Sequence, residues 1–122
     1  MAVERRLHPR YPLACEVKVM LPDAAEVFPA ETTHLSRSSM ELGCQLALFN
    51  ALLKQQQLPY SCRLEFKLPW HPKRWVMDAH MMAHRRLSQQ QFVLVLLLRH
   101  QDDDQAMLMA SLLEQHAGSA EG

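Results

Sequence analysis

The sequence has little glycine, no net charge and no long apolar segment. Only three of its 122 residues are glycine, and thirteen basic side chains balance thirteen acidic ones. Without clustered glycines the chain has no phosphate-binding loop, and without a basic excess it is not a general nucleic-acid binder. The longest apolar run, residues 92–98, is too short to cross a bilayer. Because no apolar signal segment opens the chain, we expect a cytoplasmic protein that contacts neither nucleic acid nor membrane.

Cysteines and catalytic motifs are scarce as well. The three cysteines are widely spaced, with no CxxC pair: Cys15, Cys44 and Cys62. This spacing predicts neither a disulfide framework nor a zinc site. His80 and His84 lack the glutamate of an HExxH motif and lie on a predicted strand, where residues four apart share a face but are roughly 13 Å apart, too far to share a metal ion. A small metal-dependent enzyme built on these histidines and Asp78 is therefore disfavoured, and we expect no cofactor and no enzymatic activity.

The charges are unevenly distributed along the chain. Residues 1–100 hold all thirteen basic side chains and eight acidic ones, whereas residues 101–122 hold five acidic side chains and no basic one. Three arginines fall within the first ten residues: Arg5, Arg6 and Arg10. Such a cluster indicates either an anion-binding site or a solvated arginine-rich terminus, and charge alone favours the second.

Alternation of apolar and polar side chains predicts six β-strands. The expected strands span residues 13–20, 27–35, 40–48, 60–68, 75–84 and 92–98. A polar turn is expected at residues 36–39 and a polar hairpin connection at 85–91. Residues 49–59 have no clear period and predict a loop with one helical turn.

The period changes to that of a helix after residue 101. Asp102, followed by Gln105, resembles a capping box, and Gly118 stands where a C-terminal cap belongs. Six strands and one terminal helix predict an all-β-dominated fold, a small antiparallel barrel with a C-terminal α-helix. The expected divisions are an N-terminal strap (1–12), the barrel plus helix (13–118) and a tail (119–122).

The strap carries two arginines in an RxxxR spacing. Arg6 and Arg10 stand immediately before the first strand, and Pro9 and Pro12 disfavour a helix there, so the strap is expected to be extended and outside the barrel. Two guanidinium groups on one side of a strap can bind phosphates bidentately and read the O6/N7 edge of guanine. The plain alternative is ion pairing with acidic residues such as those at 102–104, which is worth little at a surface.

Two segments together make the chain resemble a known family. The strap and first strand, ERRLHPRYPLACEV, are followed further along by TTHLSRSSMEL. These segments resemble the two signatures of PilZ domains, the bacterial receptors for cyclic di-GMP: RxxxR in a strap, and [D/N]xSxxG at the junction of the second and third strands. The resemblance covers nearly the whole chain and implies a six-stranded PilZ-type barrel followed by a helix.

The resemblance also implies a site for cyclic di-GMP. By position, Arg6 and Arg10 match the ligand-binding arginines, and Arg5 matches a position that influences whether one nucleotide or an intercalated pair is bound. Ser36 matches the motif serine, whose hydroxyl can hydrogen-bond the ligand. The plain alternative for the segment around Ser36 is a polar turn without a ligand.

Two positions depart from the second signature. His34 stands where the family has Asp or Asn, and a neutral imidazole offers one acceptor, whereas a carboxylate accepts from both N1–H and N2–H of guanine. Ser39 stands where the family has Gly, which predicts strain if the position needs a positive φ, or crowding if the ligand approaches the backbone closely. We expect each departure to weaken binding, about tenfold for every 1.4 kcal/mol, and His34→Asp and Ser39→Gly to tighten it.

The resemblance implies a receptor that transmits the cyclic di-GMP signal to an effector protein, in processes such as motility or biofilm formation. Ligand binding would order the strap and so alter a surface that the effector reads. The identity of the effector stays open, as does a homo-oligomer. The alternative function is a nucleotide-independent PilZ-like adaptor that acts through protein contacts alone, which the changes at positions 34 and 39 fit.

Overall fold

The computed structural model describes residues 8–22 and 24–121, which form six strands and two helices. In chain order these are β1 (Tyr11–Met20), β2 (Val27–Leu35), β3 (Ser39–Gln45), α1 (Leu46–Leu53), β4 (Ser61–Lys67), β5 (Arg74–Arg86), β6 (Gln91–Arg99) and α2 (Asp103–Glu121). Every pair of adjacent strands is antiparallel, and the sheet closes in the order β1-β2-β3-β6-β5-β4. The predicted six-stranded antiparallel barrel with a C-terminal helix is confirmed.

Alternation along the strands fills the barrel interior. In β4, the side chains of Cys62, Leu64 and Phe66 are buried, while the residues between them face outward. Burial of one such leucine or phenylalanine stabilises the fold by about 1.5–3 kcal/mol. From α2, Met109 and Leu113 join the same apolar cluster, so the helix and the barrel share one core. No helix in the described part of the chain is long and apolar enough to cross a membrane.

The third strand is shorter than predicted, because β3 ends at Gln45 and the chain turns directly into α1. The expectation of strand over residues 46–48 is wrong, and the expected single helical turn is an eight-residue helix. Leu48 and Leu52 lie one helical turn apart and are both buried. Phe49 stacks on Phe92 with ring centroids 4.1 Å apart, which fixes α1 against β6.

The start of α2 is as predicted, but its end is not. Asp102 Oδ1 accepts a hydrogen bond from the backbone N–H of Gln105 at 2.9 Å, which confirms the N-cap. The helix continues through Gly118 to Glu121, so the expectation of a cap at Gly118 is wrong. A cap of that kind needs the left-handed conformation, and no described glycine has a positive φ.

Candidate ligand-binding site

The turn between β2 and β3 is held together by the hydroxyl of Ser36. This residue is 1% exposed, and its Oγ accepts hydrogen bonds from the backbone N–H groups of Ser38 at 3.2 Å and Ser39 at 3.0 Å. The Ser36 N–H donates to the Ser39 carbonyl at 2.8 Å, and the two hydroxyls lie 3.0 Å apart. Because a hydroxyl has one donor and two acceptor sites, Ser36 Oγ is fully used inside the turn.

Three other segments are bonded to this turn. From the strap, His8 Nδ1 lies 2.9 Å from Ser38 Oγ. From β6, the Leu98 N–H donates to the Ser38 carbonyl at 2.9 Å. From the connection after β6, His100 Nε2 hydrogen-bonds to the carbonyl of Arg37. The turn is therefore a junction that brings together the strap and two distant parts of the chain.

A polar cluster centred on Glu41 lies beside the turn, on the outside of the barrel. Glu41 of β3 is the cross-strand partner of His34 of β2, and its two neighbours in β3 are fully buried. Its Oε2 lies 3.2 Å from Arg10 Nη2, and its Oε1 lies 3.6 Å from His34 Nδ1. Thr33 Oγ1 donates to the same Oε1 at 3.3 Å. The strap arginine and the second signature segment thus meet at one carboxylate.

Several solved structures are similar to this chain. The Bacillus subtilis inhibitor of motility, MotI/DgrA, aligns with a TM-score of 0.72 and 14% identity over 94% of this chain and 52% of that one. PlzA of Borreliella burgdorferi in complex with c-di-GMP aligns with a TM-score of 0.63 and 12% identity, over 97% of this chain and 55% of that one. The PilZ domain of Escherichia coli YcgR with c-di-GMP aligns with a TM-score of 0.66 and 13% identity, over 96% of this chain and 97% of that one.

These likenesses decide the fold. This chain has the PilZ fold. It spans about half the length of the MotI/DgrA and PlzA structures, and nearly all of the YcgR PilZ domain. The sequence matches no protein-family model and no curated protein.

Of the three strap arginines, the structure describes one. Arg5 and Arg6 lie outside the described residues, so their approach to the site stays a prediction. Arg10 immediately precedes β1, and its side chain is 37% exposed. Its ion pair is with Glu41, so the alternative of ion pairing with an acidic residue is met for Arg10, with Glu41 as the partner instead of the residues at 102–104.

Ser39 does not strain the PilZ fold. It is the first residue of β3, and no described residue other than glycine has a positive φ. The condition for backbone strain at Ser39, a positive φ, is therefore not met, because the backbone there adopts a conformation open to any residue. Whether its side chain crowds a ligand stays a prediction. In the turn itself, its hydroxyl extends the hydrogen bonding of Ser36.

Sequence reasoning missed Glu41. The alternation around it indicates an outward side chain, which was the available signal. Its partners depend on strand register, and a β-bulge between Thr32 and His34 shifts the β2–β3 register by one residue. A pattern of apolar residues cannot predict where such a bulge falls.

The two histidines of the HxxxH segment lie on different faces of β5. A β-bulge separates them, so His80 pairs with Leu97 on the outside, whereas His84 pairs with the buried Leu94 and packs edge-on against Phe49. The expectation that the two histidines share a face is wrong, and their placement on opposite faces makes joint binding of one metal ion still less favourable. No group of three His, Cys, Asp or Glu side chains in the described ranges has metal-binding geometry.

The cysteines are free thiols that burial keeps protonated. Burial, with the nearby charge of Glu31, raises the pKa of Cys15 to about 11, and burial raises the pKa of Cys44 to about 11. Burial, with the charge of Asp78, raises the pKa of Cys62 to about 12. Nucleophilic cysteines have lowered pKa values, so these three fit a structural role.

A cavity of about 1190 Å³ lies away from the polar cluster, against β4 and β5. Arg63 and Asp78, which form an ion pair at 3.0 Å, are among its lining residues. Both side chains are mostly solvent-exposed, so that pair contributes little energy. Neither Arg10 nor Glu41 lines this cavity. The candidate site is therefore a surface on the barrel exterior rather than a deep pocket.

Proposed function

We propose that this domain is a receptor for cyclic di-GMP, bound between the strap and the outer face of β2 and β3. The observation that carries the proposal is the position of Arg10, 3.2 Å from Glu41 and therefore beside His34. An arginine of the RxxxR motif thus meets the strand that carries the second signature. A guanidinium at this position can bind a phosphate bidentately or read the O6/N7 edge of a guanine.

The fold supports a ligand of this class, since the PlzA and YcgR structures with the same fold contain c-di-GMP. The proposed contacts come from the strap arginines and from outer positions of the second segment: Arg5, Arg6, Arg10, His34 and Ser39. Ser36 acts on this surface through the turn, since its hydroxyl is used there.

The signal would leave the domain through a change in its surface. A ligand bound by both the strap and β2–β3 holds the strap against the barrel, and an effector protein reads the new surface. In this proposal the protein acts in the cytoplasm, and motility or biofilm formation is the regulated process.

Calorimetric titration with cyclic di-GMP tests the proposal. We expect micromolar binding by the wild type, and a loss of at least about tenfold in Arg6→Ala and Arg10→Ala, because each loses a charge-assisted contact to the ligand. Arg74→Ala is the matched control, since Arg74 pairs with Glu65 at 3.0 Å on the β4–β5 side of the barrel. In thermal unfolding, ligand at 100 times its Kd should stabilise the wild type by about 2.7 kcal/mol.

The second candidate function is the nucleotide-independent adaptor, which two observations favour. Glu41 already neutralises Arg10, and the Ser36 hydroxyl is bonded within its own turn. Calorimetry separates the two functions. If the folded wild type gives no binding heat with cyclic di-GMP at about 1 mM, which corresponds to a binding free energy weaker than about −4 kcal/mol, the receptor is excluded and the adaptor is left.

A further inference from the structure

We infer that the Glu41 carboxylate binds the guanine N1–H and N2–H groups. In this role it replaces the Asp or Asn that the family signature has where this chain has His34, and it makes Glu41 the specificity-determining residue of the site. The inference rests on the proposed function. A site that reads the N1–H and N2–H groups of guanine needs an acceptor for each of them. A neutral imidazole at His34 offers one acceptor in total.

Glu41 lies directly across from His34. The two residues are cross-strand partners on β3 and β2, and such partners project from the same face of a sheet. Oε1 of Glu41 lies 3.6 Å from Nδ1 of His34, so a carboxylate stands beside the position where the signature has Asp or Asn. The Glu41 side chain is 18% exposed and that of His34 is 39% exposed, so this carboxylate is recessed but open on one side.

The carboxylate has room for the guanine edge. It offers about four lone-pair sites, and its neighbours are His34 and Thr33 at Oε1 and Arg10 at Oε2. The Thr33 hydroxyl also lies 3.4 Å from the Glu41 carbonyl oxygen, so its single hydrogen can be donated there instead. Once Arg10 leaves, Oε2 is free, and both guanine donors find acceptors on one side chain.

The ligand itself supplies the anion that replaces Glu41 at Arg10. A ligand phosphate binds the guanidinium, while the freed Glu41 accepts from guanine N1–H and N2–H. Both charged groups keep partners during this exchange, a phosphate at Arg10 and two N–H donors at Glu41, which matters because a recessed charge without hydrogen bonds is costly. In the unliganded protein, Arg10 and Glu41 therefore bind each other through the same groups that bind the ligand in this proposal.

The opposite role for Glu41 makes an opposite prediction. If Glu41 only neutralises Arg10, its carboxylate competes with the ligand phosphate, and removing the charge tightens binding. If Glu41 accepts from guanine, removing the charge weakens binding and also reduces the preference for guanine over a base without the N2 amino group. Glu41→Gln separates the two roles, because it keeps the shape of the side chain while turning one acceptor into a donor.

The experiment measures Kd by calorimetry for cyclic di-GMP and for its inosine analogue, which lacks the N2 amino group. We expect the wild type to prefer cyclic di-GMP about tenfold, and Glu41→Gln to bind it about tenfold more weakly with a preference of about threefold or less. Glu65→Gln is the matched control and should change neither value, since Glu65 is similarly recessed at 21% exposure and pairs with Arg74 at 3.0 Å.

His34→Asp in the Glu41→Gln background adds a rescue. It returns a carboxylate to the same face, so it should recover most of the lost affinity and the preference for guanine; absence of that recovery counts against the inference. In the wild-type background, His34→Asp sets two carboxylates across from each other, so it should increase the affinity for cyclic di-GMP by a smaller factor than in the Glu41→Gln background.

Three results overturn the inference alone: tighter binding by Glu41→Gln, an unchanged preference for guanine in that variant, or no recovery when His34→Asp is added to it. All three leave the proposed function in place, because the wild type still binds. A wild type that binds no cyclic di-GMP overturns the inference and the proposed function together.

Discussion

Two serine-bearing turns of the barrel have different roles. The β2–β3 turn places Ser36 in the interior at 1% exposure and is bonded to the strap, to β6 and to the segment after β6. The β5–β6 turn, residues 87–90, is exposed throughout. Its side-chain hydrogen bonds are one from the Gln90 N–H to Ser88 Oγ at 3.3 Å and two from the Arg86 guanidinium, which donates to the carbonyls of Ser88 at 2.9 Å and Gln89 at 3.0 Å.

The difference between the turns lies in their external bonds. From outside its own hairpin, the β5–β6 turn receives a hydrogen bond from the Leu46 N–H to the Gln90 carbonyl at 2.9 Å. The β2–β3 turn instead organises the surface on which Arg10 and Glu41 meet. A polar turn joins a candidate binding surface through the segments that it bonds to, and its own composition does not reveal these bonds.

Ser36→Ala should have the largest effect on stability. It removes the acceptor of two backbone N–H groups in a buried turn, and each unsatisfied buried donor costs about 1–3 kcal/mol. We expect the free energy of unfolding in urea to fall by about 2–3 kcal/mol. Ser88→Ala, at the exposed turn, is the matched control and should change it by less than about 0.5 kcal/mol. Equal losses at the two serines would contradict the comparison.

The barrel was predictable because alternation reports which face is buried. β4 alternates without interruption, and its core residues were recoverable from that pattern alone. The boundary at Gln45 was not predictable in this way. The leucines that follow fit a strand and a helix equally well, and burial of Phe49 against Phe92 decides for the helix.

The candidate site was half predictable, for a different reason. Arg10 and His34 could be located because they match positions of the two PilZ signatures that the sequence resembles. Glu41 required knowing that a bulge at Thr33 brings it opposite His34, and bulges are set by local packing rather than by apolar period. The interior position of Ser36 was also hidden, because a serine in a polar run reads as solvent-exposed.

Ser39→Gly should have an intermediate effect and tests the absence of strain. If Ser39 were strained, glycine would stabilise the protein, but Ser39 has no positive φ and its hydroxyl lies 3.0 Å from Ser36 Oγ. We expect a loss of about 1 kcal/mol in the free energy of unfolding, because glycine weakens a strand and one hydrogen bond is removed. Urea unfolding measures it, and a gain in stability would show that the position prefers glycine. Ser39→Ala separates the two causes, since it removes the hydroxyl without adding backbone freedom.

Among Ser36→Ala, Ser39→Gly and Arg86→Ala, the last should have the smallest effect on stability. The Arg86 side chain nevertheless reaches beyond its own strand position, whereas every side-chain bond of Ser36 lies within residues 36–39. Its guanidinium donates to two carbonyls and lies over the Phe92 ring, 5.3 Å from the centroid. Arg86, Ser88 and Gln89 are exposed, so water replaces the lost hydrogen bonds, and the cation–π contact to the buried Phe92 ring is worth about 0.5 kcal/mol. We expect a loss of about that size in urea unfolding, and a smaller one for the exposed neighbour Arg85→Ala. A loss at Arg86 as large as that at Ser36 would mean that the exposed turn is also a structural junction. Burial of the bonded groups, rather than their number, would then no longer distinguish the two turns.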